Sequence, residues 1–192
     1  LPNDINKKEL FHSFMLSDTF DENLITKLNI KDYVCEFKWD GIRAQIIVSN
    51  FGKIYSRNGE DITNSFPELN IKSNKVSVID GELVVKKNGK ILSFNDLQKR
   101  IGRKKVNPRI LDEYPVHFLA YDILFMHDSD CRNLNLSSRK KKLESLLKIL
   151  NVSNISFSPL INFNSWNDLK NLRSKSLNNH IEGIMLKKKN SL

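Results

Sequence analysis

The chain has 192 residues, 40% of them hydrophobic, with 31 basic and 22 acidic side chains, a net charge of +9 and a pI near 9.5. That length suits one domain with its own core, and the basic excess favours an anionic partner such as nucleic acid, nucleotide or a membrane surface. Cys35 and Cys131 make neither a disulfide scaffold nor a C-x-x-C pair, and no apolar run reaches the roughly 18 residues of a membrane span, so an intracellular protein off the membrane is expected.

Residues 1–30 read as a lead-in cut from a longer chain, since no Met begins it, with a short helix over Lys7 to Leu16 and another short element over Leu24 to Leu28. Tyr33 to Phe37 and Ala44 to Val48 are short and rich in β-branched and aromatic residues, which predicts strands at about 33–38 and 42–48. Alternation puts Glu36, Lys38 and Asp40 on one side and Cys35, Phe37 and Trp39 on the other. Gly41, between the two strands, permits a tight turn and close approach of a ligand. A strand follows at Lys53–Ser56, then a polar loop from Ser56 to Thr63 and a helical turn over Phe66-Pro67-Glu68-Leu69. Val76 to Val85 reads as a strand with Asp80 and Glu82 on one face, and Asn88-Gly89 signals a hairpin returning through Lys90-Ile91-Leu92. Phe94, Leu97 and Ile101 have helical spacing that ends near Gly102. Val116 to Leu124 is a strand on which Phe118, Ala120 and Asp122 share a face. Ser137 caps a helix running to about Leu150, with a stripe of Leu143, Leu146, Leu147 and Leu150. Ser165-Trp166-Asn167-Asp168 opens another helix, to about Asn178, with a capping box. Ile181 to Lys187 is the last strand. The sum is α+β, with mostly antiparallel sheets flanked by helices.

Lys38, Asp40, Arg43, Arg57, Asp80, Glu82, Glu182 and Lys187 all fall at ends or on single faces of these strands. A solvated lysine, with a pKa near ~10.4, is a poor nucleophile; in a cleft, desolvated or beside other cations, it loses its proton and attacks an electrophile. Arginine and lysine suit phosphates. Glu82 and Glu182 supply hard oxygen ligands for Mg²⁺, and Phe118 an aromatic face for a base. The grouping fits a nucleotide site in which a lysine attacks phosphorus.

Lys38-Trp39-Asp40-Gly41-Ile42-Arg43 resembles the first motif of the covalent nucleotidyltransferases, the family of DNA ligases, RNA ligases and mRNA capping enzymes. Ser56-Arg57-Asn58-Gly59-Glu60, Asp80-Gly81-Glu82-Leu83, Phe118-Leu119-Ala120-Tyr121-Asp122 and Glu182-Gly183-Ile184-Met185-Leu186-Lys187 resemble its later motifs, in order. Phe94 to Lys104 and Cys131-Arg132-Asn133-Leu134 are similar to bacterial ATP-dependent DNA ligases. The resemblance implies an ATP-grasp-like adenylation domain over 31–192. It implies Lys38 as nucleophile toward the ATP α-phosphate and Glu36, Arg43, Arg57, Glu82, Phe118 and Lys187 as nucleotide contacts. Glu82 and Glu182 are the implied metal contacts, and Asp40 orients Lys38. ATP and Mg²⁺ are the implied cofactors. Nicked double-stranded DNA is the implied partner, with a monomeric, cytoplasmic and nucleoid-associated protein as the setting. The family's last lysine-rich motif and OB-fold domain are absent here, since Lys188 and Lys189 are too close to Glu182 to be that motif; the chain resembles an adenylation domain truncated before them, with an OB-fold domain expected in the full-length protein. The basic group Lys99, Arg100, Arg103, Lys104, Lys105 and Arg109 is a candidate DNA contact. His12, His117, His127 and His180 lack metal-ligand spacing, and Trp39 and Trp166 read as core. A nucleotide- or nucleic-acid-binding module without the chemistry, an RNA ligase and a capping enzyme remain alternatives.

Overall fold

The structure is a computed structural model that describes residues 10–19, 21–176 and 180–192. In chain order come β1 (Tyr33–Trp39), β2 (Ile42–Val48), β3 (Lys53–Ser56), β4 (Ser77–Lys87), β5 (Lys90–Ile91), α1 (Phe94–Gln98), α2 (Pro108–Glu113), β6 (Val116–Met126), β7 (Ser129–Asp130), α3 (Leu136–Leu150), β8 (Ile155–Phe157), β9 (Leu160–Ile161), α4 (Trp166–Ser176) and β10 (Ile181–Lys188). Short 3-10 turns at Glu22–Lys27 and Pro67–Leu69 sit where brief helical elements are expected. One sheet runs β3-β2-β4-β6-β7, with β5 antiparallel on β4 and β8 parallel on β6; the other runs β10-β1-β9. Among the described residues no helix is long and apolar enough to cross a membrane.

Alternation along β4 sets the layers. Ile79, Leu83 and Val85 face one way, into the main core with Ile46, Ile54, Phe118, Ile123 and the Leu143 and Leu146 stripe of α3. Each such side chain contributes about 1.5–3 kcal/mol when fully buried. The other face of β4 begins with Val78, in a smaller cluster with Ile47, Leu124 and Phe125. It continues with Asp80 and Glu82, which line a cleft.

The β4–β6 ladder slips by one residue, so that Asp80 pairs with Asp122 but Gly81 pairs with Ala120. Tyr121 is the extra residue of a β-bulge. Before the bulge Phe118 and Ala120 face the core; after it Tyr121 and Asp122 both face the cleft. The shared face expected for Phe118, Ala120 and Asp122 therefore breaks. A Cβ on Gly81 would lie 2.4 Å from the Phe118 ring and 2.6 Å from the Leu119 carbonyl oxygen, so the ring rests where any larger residue would stand.

Local signals hold unevenly. Asn88 and Gly89 take φ of 51° and 78°, the positive values of the expected hairpin. Ser165 and Asp168 form the capping box: the Asp168 N–H donates to Ser165 Oγ at 3.1 Å and the Ser165 N–H to Asp168 Oδ2 at 2.9 Å. α4 reaches Ser176, and the expected end at Asn178 lies outside the described residues. For α3 the cap is Asn135, whose side chain accepts from the Ser138 N–H at 2.9 Å, not Ser137, whose N–H is drawn to the Lys189 carbonyl at 3.1 Å. α2 escaped the sequence reading, although Asn107-Pro108 supplies an N-cap and a first-turn proline. The helix expected over Lys7 to Leu16 does not form in its described part. Residues 11–19 have no helical structure, because the main chain of His12 is taken by Gln45: its N–H donates to Gln45 Oε1 at 2.8 Å, and its carbonyl accepts from Gln45 Nε2 at 3.2 Å.

Candidate active site

Both sheets and the lead-in segment wall a cleft of about 1180 Å³. Lys38, the last residue but one of β1, stands opposite Gly183 of β10, and this pairing brings the Lys38 ammonium onto the Glu182 carboxylate. Both side chains are about half exposed, at 54% and 45%, so the amine faces the cleft and not the core. Next along the wall is Glu82, whose carboxyl is pushed up to about 8, first by burial; the neighbouring Glu182 adds to the rise, while Arg43 and Lys38 oppose it. Asp80, deeper still, is raised to about 6 by burial, against a 2.8 Å hydrogen bond from Gln45 and the charge of Arg43.

Arg43 lines the cleft on β2 and is held from several sides. Nη1 donates to the Met15 carbonyl at 2.8 Å, Nη2 lies 3.6 Å from Asp80, and the guanidinium sits 4.3 Å from the Phe14 ring centre and 5.8 Å from that of Tyr121. Arg57, in the loop after β3, also lines the cleft. Glu36 is buried at 1% exposure, yet its carboxylate reaches the cleft beside two lysines, Lys140 at 2.5 Å and Lys187 at 3.1 Å. Lys187 also lies 4.6 Å from the Tyr121 ring centre.

The structure thus brings together Lys38, Glu36, Arg43, Arg57, Glu82, Glu182 and Lys187, and leaves out Phe118 and Asp40. Phe118 is 0% exposed in the main core, behind β6, so it has no face to offer a base; the bulge puts Tyr121 in the cleft instead. The signal was present: a shared face with Phe118 would have driven the Asp122 carboxylate into the apolar core. Asp122 is instead held by Arg139 in a two-pronged pair at 2.8 and 3.1 Å, which gives it a structural role. Asp40 stands in the turn, its N–H on the His180 carbonyl at 3.2 Å, and is not among the residues lining the cleft. Trp39 is half-buried at the cleft edge, not core, with its indole N–H on Ser158 Oγ at 3.0 Å. Arg100 is no DNA contact: it is 0% exposed, bound to Glu68 and to the Ser65 and Tyr114 carbonyls, each at 2.8 Å. Beyond Tyr121, the sequence reading missed Phe14, Gln45 and Lys140, whose positions depend on long-range packing.

Among the described residues no three His, Cys, Asp or Glu gather closely enough to cage a metal. Glu82 and Glu182, two carboxylates within electrostatic reach of each other, fit the looser mode of Mg²⁺, which keeps several waters and shares phosphate oxygens. Arg43, Arg57 and Lys187 fit anionic phosphates, Tyr121 fits a planar base, and Lys38 brings an amine into the same cleft.

Residues 14–192 match the model of the ATP dependent DNA ligase domain. The chain is 34% identical over 166 residues to DNA ligase 1 of Saccharomyces cerevisiae, covering 81% of this chain and 22% of that protein. It is 38% identical over 125 residues to a probable DNA ligase of Koribacter versatilis, covering 62% of this chain and 22% of the relative. The fold superposes on mycobacterial DNA ligase D complexed with ATP and MES with a TM-score of 0.64 at 23% identity, covering 86% of this chain and 51% of that one. The chain therefore spans about a fifth of the curated relatives' length.

Proposed function

Since the chain belongs to the ATP-dependent DNA ligase family, we propose that it is the adenylating part of such an enzyme, with Lys38 as the nucleophile. The observation that carries this is the contact of the Lys38 amine with Glu182 inside a cleft lined by Arg43, Arg57 and Lys187. Tyr121 stacks the adenine and Glu36 borders it. Arg43 and Arg57 hold ribose and phosphate, and Lys187 reaches a phosphate. The ammonium sheds a proton before attack, and Glu182 is the carboxylate that touches it. The amine nitrogen then forms a bond to the α-phosphorus while the bond to the bridging oxygen of pyrophosphate breaks, leaving AMP on Lys38. The 5′-phosphate at a nick takes the AMP from the lysine, and the 3′-hydroxyl displaces it to close the strand. Positioning and charge neutralisation supply the rate. Mg²⁺, held by Glu82 and Glu182 with the phosphates, would offset the charge that builds on the phosphate oxygens. Nicked duplex DNA is the proposed substrate and an OB-fold domain the proposed companion.

Incubation with ATP labelled at the α-phosphate and Mg²⁺, followed by a denaturing gel, tests the reading. Label should stay on the wild-type chain, vanish in Lys38→Ala and not appear with labelled GTP. An unlabelled wild type, or a labelled Lys38→Ala, rejects the assignment.

A further inference from the structure

The carboxylate of Glu36 carries one negative charge and meets two ammonium groups on the same oxygen, Oε1. The two lysines are not equivalent. Lys187, on β10, lines the cleft and keeps 23% of its side chain exposed. Lys140, on α3, is nearly buried, at 7% of the residue, and is absent from the cleft lining. Its ammonium lies 5.0 Å from the Phe157 ring centre. An apolar helix position seldom spends a lysine without a charge partner, and among the described residues the carboxylate in ion-pair range is that of Glu36.

Simple charge balance follows. With Lys140 in place, Glu36 is neutralised from inside the protein, and the charge of Lys187 is surplus. Without it, Glu36 and Lys187 would form a closed pair. Drawing Lys187 away toward a ligand would then strand a buried carboxylate, which is costly. We infer that Lys140 is a positioning residue for nucleotide binding: by holding Glu36 from behind, it frees Lys187 to leave that carboxylate for a phosphate of the incoming nucleotide. This rests on the nucleotide-site reading above and adds a residue that never touches the nucleotide. It also separates the two halves of the ligand. The phosphates depend on Lys140 through Lys187, whereas Glu36, at the edge of the base, still has Lys187 as its cation when Lys140 is gone.

The experiment is calorimetric titration of the chain with ATP and, separately, with adenosine, for wild type, Lys140→Met and Lys140→Arg. Lys140→Met should bind ATP about tenfold more weakly and adenosine within about twofold of wild type. Lys140→Arg, which keeps the charge, should restore ATP binding. The inference is overturned if Lys140→Met binds ATP like wild type, if it loses ATP and adenosine in parallel, or if Lys140→Arg is as weak as Lys140→Met. If Lys140→Met lacks a cooperative melt, Lys140→Gln takes its place with the same outcomes. Failure of the wild type to bind either ligand would instead reject the nucleotide site itself, and this inference with it.

Discussion

Phe118 and Tyr121 lie three residues apart on one strand and do different jobs, which makes them a sharp test at the scale of single residues. Phe118 is sealed in the core against Gly81, so Phe118→Ala should cost about 3–5 kcal/mol of stability, seen as a lowered melting temperature. Nucleotide affinity of the protein that remains folded should stay close to wild type. Tyr121 lines the cleft, so Tyr121→Leu should keep most of the packing and lose the stacked base. Stacking is worth about 1–3 kcal/mol per base, so ATP affinity should fall at least fivefold by titration. An interchange of the two phenotypes would return Phe118 to the site. Lys38, Arg43 and Glu82 were legible as residues because charge near a strand end or on one face of a buried strand has few structural uses. Phe118 was misjudged because an aromatic ring serves core and base equally well, and one bulge decides between them.

Elements carry the next layer. β6 holds Asp122 to Arg139 of α3 and His117 to Ser156 of β8, so it joins helix, sheet and cleft. His117 Nε2 lies 2.8 Å from Ser156 Oγ, and the imidazole is lowered from 6.5 to about 4, first by burial and then by the charge of Lys86. The sign follows from proton counting. Between pH 6.5 and about 4 the unfolded chain binds the proton and the native one does not, so stability is full above pH 6.5 and drains away as the pH falls toward 4. Unfolding by denaturant across that range should show a loss of about 1–3 kcal/mol in wild type that is absent from Ser156-compatible His117→Gln. An equal slope in the variant would assign the loss to other groups. The lead-in segment shows the limit of periodicity at this scale. Phe11 and Phe14 have helical spacing, yet they meet edge to face at 5.5 Å in an unhelical segment, since Gln45 and Arg43 claim its main chain. Those partners lie about thirty residues away, beyond any local signal.

For the molecule as a whole, the net charge of +9 is a statement about partners, and the fold sorts which cations are free to act on it. Lys104 and Lys105 are exposed, whereas Arg100 is locked to Glu68 inside the protein. On the proposal that nicked duplex DNA binds here, Lys104→Glu with Lys105→Glu should weaken its binding and flatten the salt dependence by about one unit of slope per lost phosphate contact, with the melting temperature unchanged. Arg100→Ala should instead lower stability by about 3–5 kcal/mol, because it strands Glu68 and two carbonyls. Fluorescence anisotropy across a salt series and thermal melts read both. DNA binding unaffected by the double reversal would remove this surface from the DNA path. Alternation, turn chemistry and the scarcity of charge on half-buried strands sufficed to read the class of fold, most strands, the Asn88-Gly89 hairpin, the Ser165 cap and which charged residues share the cleft. Only the tertiary structure decided which aromatic ring faces the cleft, which arginine is buried, how residues 11–17 lie over Arg43 and that Lys140 backs Glu36. Each of those depends on a bulge or on contacts between distant segments, and neither leaves a periodic mark on the chain.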